Sequence, residues 1–341
     1  MQDLRRLASI DSIKTVAVFS IVCIHVCAGF GNYSPGASGW TAFLFWGSLS
    51  RAGVPLFLMC SGALMLDPEK DPGLKKLWSK NILRLFAALF FWAFCYGLFH
   101  LFRTGNLNAP SLVGLLKDVL FFRHEQHMYY LHIMLLVYAF LPVTRAFAAR
   151  AERSQLLYFL CIWFLLGIVF PTLRPFYPLN LLRGIPLQWC INSAYSAIGY
   201  GVLGHYLLRY AKPHPRHFAP IAIIGFALVF GGTYFLSARK GALYSGLWEG
   251  MSVGVCLYAA GIFGLCLGAS SVRISEVFSR ASFCIYLSHM FCIYGIRHIV
   301  DVSSLLPAFI FMPLITVVTV LCSTVLYMVL SRIPIIKDWL I

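Results

Sequence analysis

The chain has 341 residues, of which 60% are hydrophobic and only 11% are charged. Soluble globular domains carry about 25% charged residues, so this composition excludes a water-soluble protein and indicates an integral membrane protein surrounded by membrane lipid. The formal net charge is +15. The lysines and arginines lie in short gaps between apolar runs and form no basic stripe, which argues against nucleic acid as a partner.

Ten apolar runs approach the length needed to cross a bilayer. Gly53 and Pro55 interrupt the second run, and the fifth is short. The predicted fold class is therefore all-α: a polytopic integral membrane protein with about ten transmembrane helices in a single domain, residues 1–341. The ten runs lie near residues 13–30, 41–66, 82–102, 128–147, 156–171, 186–209, 218–236, 246–268, 282–300 and 305–331.

The distribution of positive charge predicts the orientation of the chain. With the N-terminus placed inside, 18 of the 27 lysines and arginines lie on the inner side, as expected for cytoplasmic loops. Both termini are therefore predicted to be cytoplasmic. An amphipathic stretch from Leu112 to Phe122, in the long connection between the third and fourth runs, is predicted to lie in the outer interface.

The first apolar run, IDSIKTVAVFSIVCIHVCAGF, carries an aligned pair of ionisable residues. At 100° per residue, Lys14 and His25 share one face of a helix and lie about 16 Å apart along its axis. Asp11, one turn before Lys14, is placed to pair with it. The spacing suits a long ligand with an anionic end at the membrane surface and a reactive end within the bilayer, such as an acyl-CoA. The alternative is that Lys14 only reaches for the interface and His25 is a neutral, satisfied ring inside the bundle.

Three other charged or ionisable residues stand at the ends of apolar runs. Arg51 precedes the break in the second run and points either into a polar cavity or to the interface. His127, in the stretch FRHEQHMYYLH, lies either in the outer mouth of an active site or in an ordinary interfacial belt. Arg84, at the start of the third run, is either a contact for a phosphate or one of the positive residues that orient the chain.

The ninth run contains a polar stripe, because Ser282, Tyr286 and His289 follow at i, i+4 and i+7. Such a stripe lines either a cavity or a contact between helices. The eleven cysteines show no CxxC pair and no zinc spacing with histidine, so no metal site is expected. Glycine-rich phosphate loops and the GxSxG and HExxH motifs are absent from the sequence.

Four blocks of the sequence, taken in order, resemble the membrane-bound acyltransferase family 3. The likeness is closest to short single-domain members, such as the O-acetyltransferase of enterobacterial common antigen, and covers essentially the whole chain. The mark of the family is a basic residue, ten residues and a histidine; this chain has lysine at position 14 where the family usually has arginine, which loses the bidentate guanidinium fork. The blocks are Asp11-Ser12-Ile13-Lys14 with His25; Ser50-Arg51 with Val54-Pro55-Leu56-Phe57 and Ser61-Gly62; His127-Met128-Tyr129-Tyr130; and Ser279-Arg280 with Ser282, Ile285-Tyr286 and His289.

The resemblance implies transfer of an acyl group, usually acetyl, from cytoplasmic acyl-CoA to a hydroxyl of a glycan or lipid-linked sugar, in the bacterial inner membrane. Acetyl-CoA is then the expected co-substrate. The resemblance implies that His25 is the essential histidine, with Arg51 and His289 lining the catalytic core. The remaining predicted roles are donor binding by Lys14, Lys80 and Arg84, and acceptor binding by Asp11, Ser61, His127, Tyr130, Ser282 and Tyr286.

The expected mechanism is general-base activation of the acceptor hydroxyl by neutral His25, with Arg51 stabilising the oxyanion. Direct transfer and transfer through an acyl-enzyme both remain open. The main alternative function is a proton-coupled transporter or a flippase for lipid-linked sugars, with His25 and Arg51 as the relay. Such carriers are built from repeats with paired broken helices, and the sequence shows no internal repeat. A further alternative is a sensor that binds the ligand without turnover.

Overall fold

The computed structural model of the chain describes residues 2–31, 34–68, 73–268, 273–299 and 306–341, with side chains from residues 8 and 276 onward in the first and fourth segments. Every regular element in these segments is a helix, so the predicted all-α class is confirmed for the described residues. The helices are α1 (Gln2–Phe30), α2 (Trp40–Leu49), α3 (Gly53–Met65), α4 (Gly73–Arg103), α5 (Ala109–Leu120), α6 (Tyr129–Arg150), α7 (Arg153–Leu173), α8 (Ser193–Tyr210), α9 (Pro215–Lys240), α10 (Val253–Gly268), α11 (Arg273–Ile299), α12 (Ala308–Leu330) and α13 (Pro334–Trp339).

Eight helical segments of the described chain are long and apolar enough to span a membrane. They confirm a polytopic membrane protein, while the count of ten spans and the cytoplasmic termini stay predictions. The two predicted spans outside this set are α8 and α11, which form helices of 18 and 27 residues but carry more polar side chains. A helix surrounded by other helices tolerates such residues better than one surrounded by lipid. The eight segments are Ala8–Phe30, Trp40–Met65, Gly73–Arg103, Gln126–Arg150, Arg153–Leu173, Pro215–Lys240, Gly246–Gly268 and Ala308–Leu330.

The predicted interruption of the second span is present. Helix α2 ends at Leu49 and α3 begins at Gly53, which leaves a turn that carries Arg51. Pro55 lies in the first turn of α3, where its missing N–H removes no helical hydrogen bond. The short fifth run forms the continuous helix α7, which contains a π-helical turn at Leu165–Val169.

The two helices that carry the predicted site, α1 and α11, lie side by side and run in the same direction. The Ser279 hydroxyl donates to Asp11 Oδ1 at 2.6 Å near the start of both helices. Further along, the rings of His25 and His289 are 4.9 Å apart. The two contacts fix the register of α11 against α1.

Helices α3 and α8 pack through glycines. A Cβ at Gly62 would overlap the backbone of Gly201, and one at Gly204 would overlap the main chain of Met59. Small residues at such contacts let two helix backbones approach closely within a membrane. Gly62 belongs to one of the blocks that carry the family resemblance, and its observed contact is with α8.

The predicted amphipathic stretch forms helix α5. The Asn108 side chain caps its first turn by accepting from the Ser111 N–H at 3.0 Å. Leu115 lies against Gly97 of α4, whereas Val113 and Leu116 are more than half exposed. An apolar face left exposed in this way is typical of a helix that lies in a membrane interface.

Candidate active site

Three histidines from distant parts of the chain meet in the bundle: His25 of α1, His127 of the 3₁₀ turn before α6, and His289 of α11. Their ring centroids are 4.9 Å apart for His25 and His289, 5.2 Å for His127 and His289, and 5.8 Å for His25 and His127. His127 and His289 are 4% and 0% exposed, whereas His25 is partly exposed. His25 is therefore the most accessible of the three.

The ring of His289 is oriented by its own helix. Its Nδ1 lies 2.7 Å from the Tyr286 carbonyl oxygen and 3.1 Å from that of Ile285. Carbonyl oxygens only accept hydrogen bonds, so Nδ1 carries the proton and Nε2 of a neutral ring presents a lone pair. Within the described residues, this Nε2 and both ring nitrogens of His127 lack a hydrogen-bond partner. Unpaired buried nitrogens cost free energy, and polar groups kept in this state are typical of functional sites.

The segment that carries His127 is held from two sides. The Glu125 carboxylate contacts His100 Nε2 of α4 and accepts from the Tyr294 hydroxyl of α11 at 3.1 Å. The Tyr286 hydroxyl donates to the His127 carbonyl oxygen at 2.7 Å. These contacts place His127 against α11 although no regular helix extends through the residues just before it.

Aromatic side chains close the buried side of the three histidines. Tyr96 of α4 meets His127 edge to face at 5.1 Å and donates its hydroxyl to the Leu287 carbonyl oxygen at 2.7 Å. Tyr130 and Tyr286 meet edge to face at 5.4 Å. Buried tyrosines that keep a hydrogen bond give such a wall both apolar area and a fixed orientation.

The Arg51 guanidinium interacts electrostatically with His25. Its guanidinium carbon is 4.2 Å from the centre of the Trp248 ring, and its Nε donates to the Gly47 carbonyl oxygen at 3.2 Å. The indole of Trp248 donates in turn to Ser48 Oγ at 2.9 Å. The cation–π contact and the hydrogen bond hold the guanidinium in place, so the structure brings Arg51 into the site rather than to the interface.

Three of the predicted acceptor-binding residues have a hydroxyl proton that is already engaged in a hydrogen bond within the protein. The Ser61 hydroxyl donates to the Phe57 carbonyl oxygen at 2.9 Å, and that of Ser282 donates to Ser279 at 2.7 Å. The Tyr286 hydroxyl proton is engaged at His127. In this arrangement these hydroxyls act on a ligand only as hydrogen-bond acceptors.

The opposite end of α1 differs from the prediction in one respect. Asp11 pairs with Ser279 of α11, and the described residues contain no ion pair between Asp11 and Lys14. The reason is that Ser279 approaches Asp11 from the neighbouring helix. Lys14 is partly exposed on the same unbroken helix as His25, which preserves the predicted separation of about 16 Å.

The other two residues predicted to bind the donor, Lys80 and Arg84, differ in whether the protein already occupies them. Lys80 is exposed in the π-helical turn Leu77–Ile82 of α4. The Arg84 guanidinium contacts the main-chain oxygen of Ile341 and lies 5.6 Å from the Phe283 ring. A phosphate would therefore compete with a main-chain oxygen for Arg84, whereas Lys80 is open to it.

Several residues at the site carry no local sequence signal. Tyr96 and Trp248 belong to stretches in which nothing distinguishes them, and Trp248 reaches Ser48 across 200 positions of sequence. Tyr129 stands beside His127 in the sequence but resembles an interfacial tyrosine. Only the packing of distant helices shows that these side chains share one site.

Comparison with known proteins gives one match. A family model described as an acyltransferase domain matches residues 7–328, which include every predicted site residue. No curated protein and no solved structure matches the chain significantly. The closer likeness to the short O-acetyltransferases therefore stays a prediction.

Proposed function

Because the chain belongs to acyltransferase family 3 and is a membrane acyltransferase, we propose that it is an O-acetyltransferase of the bacterial inner membrane. The donor is cytoplasmic acetyl-CoA, and the acceptor is a hydroxyl of a cell-envelope glycan or lipid-linked sugar. The observation that carries this proposal is the partly exposed His25, which is backed by two buried histidines and aligned with Lys14 on one helix. The family match supports acyl transfer and gives no support to the transporter or flippase alternative.

The donor lies along α1 in this proposal. Its phosphates contact Lys14 and Lys80, and the thioester reaches His25 about 16 Å further along the helix axis. Both lysines are accessible in the structure, which supports their assignment as the anionic end of the site. Arg84 joins them only if the phosphate displaces the Ile341 oxygen.

The chemistry centres on His25 and Arg51. The imidazole lone pair of His25 takes the proton of the acceptor hydroxyl, and the oxygen attacks the thioester carbonyl carbon. The Arg51 guanidinium stabilises the oxyanion that forms. Collapse breaks the carbon–sulfur bond, the thiolate of coenzyme A takes the proton back, and the ester remains on the acceptor. The same base role serves direct transfer and relay through an acyl-enzyme.

His289 supports His25 in this scheme. Its Nδ1–H is held by carbonyl oxygens of α11, so its Nε2 lone pair is available when a proton arrives on the neighbouring ring. His127 contributes a second buried ring, which is adjacent to both His25 and His289. Two adjacent neutral imidazoles stabilise a transient imidazolium better than apolar side chains would.

Membrane lipid is the remaining proposed partner. A groove of about 1060 Å³ runs between α6, α7 and α8, lined by Phe140, Phe147, Tyr158 and Tyr195, with Arg150 toward one end. Its apolar lining and terminal cation match the chain and phosphate of a membrane lipid. The groove supports lipid contact and lies on other helices than those that carry the three histidines.

The test of the proposed function uses purified protein, acetyl-CoA labelled in the acetyl group and a glycolipid fraction from the cell envelope. We expect label to move to the glycolipid in the presence of the protein. A protein that binds acetyl-CoA but leaves the fraction unlabelled would be the sensor, not the transferase.

A thermal-shift measurement separates the transporter alternative. Acetyl-CoA at 100 times its dissociation constant should stabilise the protein by about 2.7 kcal/mol, whereas free acetate should not. Lys14→Ala should weaken this stabilisation and Lys14→Arg should retain it, with Lys337→Ala as the exposed-lysine control. Equal behaviour with acetyl-CoA and acetate would contradict donor binding.

A further inference from the structure

One carboxylate that interacts with Arg51 has no role in the chemistry described above. Glu249 directly follows the 3₁₀ turn Gly246–Trp248, which connects α9 to α10. The indole of Trp248 reaches Ser48, eight residues or about 12 Å along the span from Trp40. The turn therefore enters the bundle and does not stay at the ends of the helices.

The backbone around Glu249 is fixed from several sides. The Tyr200 hydroxyl donates to the Gly250 carbonyl oxygen at 2.6 Å, and the Val253 N–H donates to Thr172 Oγ1 at 3.0 Å. The Ser252 N–H donates to the Glu249 carbonyl oxygen at 2.9 Å. Rigid backbone of this kind holds a side chain to within the tolerance that a binding site requires.

Although the backbone around Glu249 is held by hydrogen bonds, the residue itself is exposed. The carboxylate interacts electrostatically with Arg51 and Tyr129, and Tyr129 is itself 48% exposed although His127 and Met128 just before it are buried. Within the described residues, the Glu249 carboxylate has no hydrogen-bond partner. An accessible carboxylate thus directly follows Trp248, the residue whose ring packs against the Arg51 guanidinium at 4.2 Å.

The negative charge of the Glu249 carboxylate indicates which class of ligand it can bind. A carboxylate accepts hydrogen bonds and donates none, so its natural partner is a hydroxyl group, and such charge-assisted bonds are about twice as strong as neutral ones. A second anion at the same place would be repelled. A carbohydrate with uncharged hydroxyls therefore fits, whereas a phosphate or a uronic acid does not.

We propose that Glu249 binds the acceptor by accepting a hydrogen bond from a hydroxyl of a neutral sugar, and thereby places the reacting hydroxyl between His25 and Arg51. This inference rests on the proposed acyl transfer and adds to it the residue that recognises the acceptor and the charge class of the sugar. Glu249 acts on binding and position, while His25 handles the proton.

The experiment compares Glu249→Gln and Glu249→Asp with wild type in transfer of labelled acetyl from acetyl-CoA to the envelope glycolipid fraction. Asp118→Asn on α5 is the matched control, because Asp118 is an exposed carboxylate that lies 3.9 Å from Arg123. Glu249→Gln should raise the glycolipid concentration needed for half-maximal rate about tenfold, the loss of one charge-assisted hydrogen bond. Glu249→Asp should recover part of this loss, and Asp118→Asn should match wild type.

Binding of the donor, acetyl-CoA, provides an internal control for this experiment. Stabilisation by acetyl-CoA in a thermal-shift measurement should be unchanged in Glu249→Gln, since the proposal assigns this residue to the acceptor alone. An unchanged glycolipid dependence, or a defect in acetyl-CoA binding instead, would overturn the assignment. Absence of transfer by the wild-type protein would overturn the proposed function itself, so the two failures are distinguishable.

Discussion

Exposure divides the three histidines into one that is accessible and two that are buried. His25 is partly exposed, whereas His127 and His289 are buried with ring nitrogens that lack partners in the described structure. The pattern of a basic residue and a histidine eleven positions later could be predicted from sequence, because both lie on one helix. The approach of His127 could not, because it depends on a non-helical segment held by Glu125 and Tyr286.

A prediction at the residue scale concerns the support of His127. Tyr286→Phe removes the hydrogen bond to the His127 carbonyl oxygen and keeps the ring. We expect a loss of about 1 kcal/mol in unfolding free energy and a fall in transfer rate of about tenfold, because His127 then shifts relative to His25. Tyr234→Phe is the control, since Tyr234 lies on α9 and is 49% exposed. Equal rates in the two variants would show that this hydrogen bond does not position the site.

The Arg51 turn gives a second prediction at this scale. Ser48→Ala removes the acceptor of the buried Trp248 indole N–H and leaves that group unpaired, at a cost of about 1–3 kcal/mol. Since Trp248 also stacks on Arg51, transfer should slow as the melting temperature falls. A variant with wild-type stability and rate would contradict the anchoring role of Ser48.

At the scale of helices, the break between α2 and α3 could be predicted from the sequence, but the direction in which Arg51 points from that break could not. The Gly-x-Pro pattern indicates an interruption, but the sequence leaves open whether Arg51 points inward, and Trp248 decides the matter. Ser61 and Gly62 show the converse. They resemble a functional block, yet Gly62 contacts the backbone of α8 and the Ser61 hydroxyl bonds within α3. In a single sequence, small residues that allow two helices to approach closely look the same as residues of a binding motif.

The packing of α3 on α8 is testable through Gly62. Gly62→Val would overlap the backbone of Gly201 and should cost about 2 kcal/mol through overpacking. Gly231→Val in α9 is the control, because a Cβ at Gly231 meets nothing within 4 Å. Thermal unfolding of both variants in detergent checks the prediction, and equal melting temperatures would exclude close contact at Gly62.

For the whole molecule, composition was enough to predict a helical membrane protein, but the number of spans was harder to predict. Helices α8 and α11 carry enough polar residues to blur the apolar signal, and α11 does so because Ser282 and His289 lie inside the bundle. Side-by-side packing of α1 and α11 explains why the Asp11–Ser279 contact and the pair of His25 and His289 lie along one axis. The Asp11–Ser279 contact that fixes their register lies across 268 positions of sequence, beyond the reach of local pattern.

The predicted orientation is a property of the whole molecule. Two substitutions, Lys75→Cys and Lys117→Cys, provide labelling sites. Position 75 lies near the start of α4, position 117 lies on α5, and both are exposed. A membrane-impermeant maleimide should label position 117 in intact spheroplasts and position 75 only after permeabilisation, with wild type as the background control for its own cysteines. The reverse pattern would place the Lys14 end of the site outside and contradict a cytoplasmic donor.

The most direct measurement is the rate of acetyl transfer from labelled acetyl-CoA to the envelope glycolipid fraction by wild type and His25→Ala, with His217→Ala as an exposed-histidine control. We expect a loss of about 10²–10⁴-fold for His25→Ala, with retained stabilisation by acetyl-CoA showing that the variant is folded, and wild-type activity for His217→Ala. Transfer by His25→Ala at the wild-type rate would contradict the central role of His25.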